Sequence, residues 1–431
     1  MNLTLKMPRL PRGRPRLRPR NRFTLKLVAL LGFLGPGIVA ANAGNDAGGI
    51  LTYVSAGSQF GYRTLFLLVL ITVALVVVQE MCSRLGAYTG EGLGALIREQ
   101  FPLRSGAAAM VLLFVANAGL TVSEFAGVGA SMELFGVSRY IAVPIALVGI
   151  WAVTVLGNYS RAERVFLVMG LVFISYPIAA VLAHPHWGTV VNNLVWPHFL
   201  HTNAFLLLAV ALIGTTITPY MQFYLTSAVV DKGVTPKTYK GERIDTVNGA
   251  ILGDVVSIFI IIATAAAIGG SGPLNSVSQA AAALKPVAGA AASQLFAFGL
   301  LGASLLAATV VPLSSAYAIA ETAGVERSLA RKIREAPLFY GLFTVQLVIG
   351  AVIALLPGNL VQLVINAQVL NGFITPILLT YILILANRRS VLGAAANGPV
   401  FRTVATLCVA VVGVLSALVL VQTAAGWLGA S

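Results

Sequence analysis

The sequence predicts an all-α integral membrane protein of eleven transmembrane helices, arranged as two inverted repeats with helices 1 and 6 broken. Three observations carry that reading. The 431 residues are 58% hydrophobic and 10% charged, where soluble domains carry roughly 25% charged residues, and the mean hydropathy is +0.89. Apolar runs long enough to span a ~30 Å hydrocarbon core recur along the chain. Two of those runs are interrupted at their centres by glycine, proline and polar residues.

The expected spans are 24–60, 63–83, 105–135, 138–157, 163–183, 203–230, 246–270, 289–322, 337–357, 359–387 and 399–425. The outer loop 184–202 and the inner loop 231–245 are too short to fold a core of their own. Charge sets the orientation. With the N-terminus in the cytoplasm, nine Lys or Arg precede residue 27, and the later inner segments hold three, two, four, four and three. The outer segments hold only Arg63, Arg139 and Lys285. Inner segments rich in Lys and Arg orient membrane proteins, so the N-terminus is expected inside and the C-terminus outside. The net charge of +14 then reports topology in a multi-pass cell-membrane protein. A nucleic-acid partner is not expected, because neither aromatic stacking platforms nor a folded reader domain is present.

The first 23 residues include Arg12-Gly13-Arg14-Pro15-Arg16-Leu17-Arg18-Pro19-Arg20. This Pro-rich, self-repelling tail is expected to be disordered and to touch anionic lipid headgroups. It runs straight into a span too long for the apolar part of a cleavable signal. Cys82 and Cys408 suggest neither a disulfide framework nor a metal cluster, and both read as small apolar residues.

Span 1 is interrupted at Asn45-Asp46-Ala47-Gly48-Gly49, and span 6 at Gly214-Thr215-Thr216-Ile217-Thr218-Pro219-Tyr220. Irregular backbone at membrane depth survives only where protein buries it or a watery cavity meets it. Pro219 lacks an N–H and clashes with the carbonyl four residues back. The carbonyls around Thr215–Thr218 are thereby freed for a partner, and in a transporter that partner is a bound cation. Five spans separate the two breaks, so the second half meets the membrane in the opposite sense, as in an inverted-repeat transporter. The chain then divides into a basic cytoplasmic tail (1–23), a core with helices 1–5 and 6–10 as the repeats (24–397), and an eleventh helix with an outer C-terminus (398–431).

The acids inside the spans are the functional candidates. Asp46 is the only acid within span 1. A lone buried carboxylate needs a cation or a donor to compensate it, and Asp46 is also placed to cap the second half-helix. Glu124 lies near the middle of span 3 with no Lys or Arg in that span. Asp254 in span 7, and Gln368 and Asn371 one turn apart in span 10, could line a cation path, or in the case of the amides hold helices together. Glu80 and Glu321, near inner span ends, are expected to pair with Arg84 and Arg327. His184, His186, His198 and His201 read as parts of an interfacial outer loop. Gly90-Glu91-Gly92-Leu93-Gly94 follows no strand and precedes no Lys-Ser/Thr, so it is no phosphate loop; residues 90–100 read as a short interfacial helix. The spans carry no nucleophile–base pair, HExxH helix or cofactor loop, so neither an enzyme nor a cofactor is expected.

These residues resemble a known family. Gly35-Pro36-Gly37 followed by Asp46-Ala47-Gly48-Gly49 resembles the first helix of the Nramp divalent-metal transporters, whose motif is Asp-Pro-Gly-Asn. Arg84-Leu85-Gly86-Ala87-Tyr88-Thr89-Gly90 resembles the family's stretch after helix 2. Thr121-x-x-Glu124 is similar to its Asp-x-x-Glu in helix 3, and Thr215-x-x-Thr218-Pro219-Tyr220 to its Ala-x-x-Met-Pro-His in helix 6. Gln368-Val369-Leu370 with Pro376 resembles helix 10. The likeness runs from about residue 30 to 395.

The resemblance implies a LeuT-type fold and a divalent metal ion as the substrate, with no obligate protein partner. It implies a metal site of Asp46, Gly49, Ala43, Glu124, Thr215 and Thr218, with Asp254, Tyr220, Gln368 and Asn371 along the path. Ala43 and Thr215 would contribute backbone carbonyls. The departures from the family pattern matter. The family's Asn becomes Gly49, its metal-binding Met becomes Thr218, and its helix-6 histidines become Tyr220 and Leu225. Losing the thioether leaves oxygen donors only, which suit Mg²⁺ over softer transition metals. Losing the Asn side chain enlarges the site, which suits an ion that keeps several waters. The pattern is similar to the Nramp-related magnesium transporters. Uptake of partly hydrated Mg²⁺, with Mn²⁺ also possible and without proton coupling, is therefore the leading expectation. A proton-coupled Mn²⁺/Fe²⁺ importer is the alternative. A sodium-coupled amino-acid symporter fits less well, since Asp46 would repel a substrate carboxylate.

Overall fold

The computed structural model describes residues 46–156, 169, 171–326 and 333–427. The basic tail, the first half of span 1, the first half of span 5 and Arg327 lie outside the described residues. Among the described residues every regular element is helical. Eight helical stretches there are long and apolar enough to cross a membrane. The two shorter apolar helices, Arg139–Val155 and Leu171–Leu182, fall within the expected fourth and fifth spans.

In chain order the main helices are α1 (Ala47–Phe60), α2 (Leu65–Thr89), α3 (Leu93–Gln100), α4 (Leu103–Leu134), α5 (Arg139–Val155), α6 (Ser175–Leu182) and α7 (Trp187–Val195). They continue as α8 (Asn203–Thr216), α9 (Pro219–Asp231), α10 (Tyr239–Ile268), α11 (Ala292–Ala323), α12 (Pro337–Ala354), α13 (Leu360–Asn387) and α14 (Pro399–Trp427). At 1.5 Å per residue the 32-residue α4 is about 48 Å long, enough to cross with tilt. From Leu120 to Ser131 every α4 residue is buried, because α11, α13, α12 and α5 surround it. It is the post of the bundle. α1 lies among α10, α8, α13 and α4, and α14 packs along α13, α8 and α2.

The sixth span is broken as expected, over a shorter stretch. α8 continues through Thr216, Ile217 (φ −109°, ψ 56°) and Thr218 (φ −65°, ψ 133°) leave the helix, and Pro219 is the first residue of α9. Proline disrupts upstream, where its missing N–H leaves the Thr215 carbonyl without a helical donor, yet it starts a helix well. The interruption of span 1 is likewise tighter on its C-terminal side, with Ala47–Gly49 already helical. α10 begins at Tyr239, earlier than the apolar run, because a polar turn that an apolar window does not register continues the same helix. The short inner helix expected over 90–100 is α3, reached through Gly90 at φ 71°, whose N–H binds the Gly86 carbonyl to close α2. In segment 184–202 the histidines flank α7.

Candidate cation site

The site is built on the N-terminus of α1. Asp46 is its cap: Oδ1 accepts the Gly49 N–H at 2.7 Å. Glu124 arrives from the middle of α4, and its Oε2 accepts the Ala47 N–H at 3.2 Å. Two carboxylates distant in sequence therefore share one helix N-terminus, where free N–H groups and the helix dipole favour anions. Asp46 is 3% exposed and Glu124 0%. Among the described residues neither has an ion-pair partner: the ion pairs there use Glu80, Glu133 and Glu242.

Close backbone approach holds the two acids together. A Cβ at Gly127 would collide with Ala47 and Ser304, and one at Gly48 would collide with the Gln368 amide. α1, α4, α11 and α13 meet at these two glycines. Gln368 Nε2 donates to Ser123 Oγ at 3.4 Å, which ties α13 to α4 one residue from Glu124.

The break between α8 and α9 is held by Asn371. Its Nδ2 donates to the Gly214 carbonyl, whose helical donor would have been Thr218. Gly214 also packs on the α13 backbone at Gln368 and Gly372. Asn371 is therefore a strut for the interruption, one turn after Gln368 on α13. Glu124 Oε1, Thr215 Oγ1, Thr218 Oγ1, Gln368 Oε1 and Asn371 Oδ1 are buried and have no hydrogen-bond partner among the described residues. Buried polar atoms are rarely left so. All five are oxygens, and no three His, Cys, Asp or Glu side chains gather anywhere among the described residues.

The remaining candidates separate. Gly49 is in the first turn of α1 and gives its N–H to Asp46. Tyr220 is buried with Leu120, Ala307 and Val311 and stays within electrostatic reach of both Asp46 and Glu124. Ala43 lies outside the described residues. Asp254 faces a different cavity, with Tyr53, Gln79 and Thr216. Glu80 pairs with Arg84 at 3.2 Å as expected, and also takes Arg243 at 3.4 Å and the Tyr239 hydroxyl at 2.9 Å.

In a polar chain beside Glu124, only Thr121 carries a signal in the sequence. Thr121, one turn before Glu124, accepts from Gln346 Nε2 at 3.3 Å and donates to the Asn117 carbonyl at 2.7 Å. Asn117 Nδ2 donates to Ser315 at 2.8 Å and Ser314 at 3.3 Å. Every side chain in the chain is neutral.

A helical membrane bundle in which half-helices meet at buried acids is the architecture of a carrier for ions or small solutes. Residues 37–422 match the family described as natural resistance-associated macrophage protein-like, or Nramp, and the chain belongs to that family. The divalent metal cation transporter MntH of Aeromonas hydrophila is 28% identical over 417 residues, 94% of this chain and 97% of that one. MntH 1 of Pseudomonas aeruginosa is 33% identical over 304 residues, 66% of this chain and 68% of that one. A crystal structure of a mutant Eremococcus coleocola manganese transporter matches with a TM-score of 0.72 at 19% identity, covering 96% of this chain and 90% of that one. Mhp1, a nucleobase-cation-symport-1 family transporter, matches at 0.54 and 17% identity, covering 89% and 90%. At such identities the likeness concerns the fold, which is LeuT-type.

Proposed function

We propose that the chain carries divalent metal ions into the cell by alternating access, with partly hydrated Mg²⁺ as its main substrate, Mn²⁺ as a second ion, and no proton coupling. The observation that carries this reading is the pair Asp46 and Glu124, without cationic partners among the described residues, on a helix N-terminus packed against Gln368, whose amide oxygen is unpartnered among the described residues. Two carboxylates balance one divalent charge. The neutral oxygens replace part of its hydration shell, and waters supply the rest, which a Mg²⁺ ion retains readily. Oxygen-only donors do not favour the softer metals that a thioether would select.

Asp46 and Glu124 would neutralise the ion, directly or through water. The Thr218 hydroxyl and the carbonyls of Thr215 and Ala43 would complete its shell. Rocking of the half-helices about the break at Ile217–Thr218 would then open the inner side. Two features support transport without protons. The chain Gln346–Thr121–Asn117–Ser315 beside Glu124 has no titratable member, and Tyr220 and Leu225 stand where the family pattern has histidines.

A proton-coupled Mn²⁺/Fe²⁺ importer is the second reading, favoured by relatives named for divalent metals and manganese. Amino-acid symport is disfavoured, because the N–H groups of α1 that would receive a substrate carboxylate already serve Glu124 and Asp46. Competition decides between the metals. Tracer Mn²⁺ uptake into proteoliposomes should be inhibited by Mg²⁺ at comparable concentration. If roughly hundredfold excess Mg²⁺, worth ~2.7 kcal/mol of affinity difference, leaves Mn²⁺ uptake intact, the second reading replaces the first.

A further inference from the structure

We propose that Asp254, Gln79, Thr216 and Tyr53 form a second cation site, apart from the Asp46–Glu124 pair, that takes a small dehydrated monovalent cation of the sodium class. Asp254 sits midway along α10, 5% exposed, and its Oδ2 has no hydrogen-bond partner among the described residues. It opens on a cavity of about 20 Å³ lined also by Gln79, Tyr53 and Thr216, room for about one water. Gly249, Ala250 and Gly253, small residues on the same face of α10, leave the space. The cavity is thus a built site: one carboxylate, an amide and two hydroxyls, all on buried residues.

Charge and size select the occupant. One carboxylate balances one positive charge, whereas a bare divalent ion would leave a buried net charge uncompensated. A Mg²⁺ ion that keeps several waters exceeds a one-water cavity. A sodium ion sheds its waters at lower cost and accepts carboxylate, amide and hydroxyl oxygens together. The Tyr53 hydroxyl bonds Thr216 Oγ1 at 2.9 Å, which joins α1 to the end of α8 beside this cavity. Thr215 and Thr216 are successive residues, about 100° apart around α8; Thr216 turns to this cavity. An ion bound there would hold α1, α2, α8 and α10 to one another around the break, so its binding would be felt as stability.

The inference stands without regard to which divalent ion is carried. The test is thermal unfolding of the purified full-length protein in NaCl, KCl or choline chloride at equal ionic strength, with MnCl₂ as a separate probe. Sodium should raise the midpoint of the wild type saturably, by ~2 °C or more, and choline should not. Asp254→Asn and Gln79→Leu should each abolish the sodium shift and keep the Mn²⁺ shift, while Asp46→Asn should do the reverse. Should Asp254→Asn fail to fold, Gln79→Leu decides alone. No sodium-specific shift in the wild type, or an undiminished one in the variants, overturns the site. A midpoint that follows pH instead of sodium, and ceases to in Asp254→Asn, assigns the carboxyl a proton and overturns it equally. A failed Mn²⁺ shift in the wild type counts against the Asp46–Glu124 site and leaves the sodium result to be read independently.

Discussion

Thr218 caps α9 without a side-chain bond, and its hydroxyl is buried and unpartnered among the described residues, where the family pattern has a metal-binding methionine. Thr218→Met should therefore turn the site toward softer ions. The Mn²⁺ over Mg²⁺ preference in paired uptake assays should rise about tenfold, ~1.4 kcal/mol; an unchanged ratio would remove Thr218 from the site. Asp46→Asn keeps the shape of the cap and removes one of the two charges, so uptake of either ion should fall to the background of empty vesicles while the protein still purifies as folded. Asp46 and Glu124 were legible in the sequence because an acid in an apolar run is conspicuous and costly. Ser123, Gln346 and Asn117 were not. They are ordinary polar residues whose meaning comes from contacts such as Gln368 to Ser123 and Gln346 to Thr121, more than two hundred residues apart.

Proline and glycine positions revealed that spans 1 and 6 are interrupted, but not how narrowly. The break in span 6 closes to Ile217 and Thr218 because Asn371, in α13, supplies the donor that Gly214 lacks. No local pattern contains that partner. The glycines at helix crossings have the same origin: at Gly48 an added methyl meets the Gln368 amide, so Gly48→Ala should lower both thermal stability and metal uptake, measured on the same purified sample. Towards the C-terminal end of α2, Glu80 pairs with Arg84 of the same helix and joins α10 through Arg243 and the Tyr239 hydroxyl. The Arg84 side chain is 11% exposed and that of Arg243 54%. Truncating a buried partner strands a charge, at ~3–5 kcal/mol, whereas an exposed pair is worth about 0–1 kcal/mol. Arg84→Ala should accordingly lower the unfolding midpoint well beyond Arg243→Ala; equal losses would contradict this ordering.

The bundle as a set of packed helices followed from composition and apolar run length, the inverted repeat from the two interruptions five spans apart, and its LeuT type from the resemblance to the Nramp family. The expected orientation rests on the placement of Lys and Arg alone, which no distance between helices records. The energetics of the proposed function also belong to the entire assembly. The membrane potential is worth ~2.3 kcal/mol per charge per 100 mV, so about 4.6 for a divalent ion moving inward. That drive suffices for accumulation without a second ion, and it fits a neutral polar chain beside Glu124. The decisive measurement is Mg²⁺ influx into proteoliposomes under an imposed inside-negative potential, with internal pH recorded in the same vesicles. Voltage-driven Mg²⁺ influx at constant internal pH is the predicted result. Influx of Mn²⁺ with acidification, and none of Mg²⁺, would contradict the account and return the chain to proton-coupled transition-metal import.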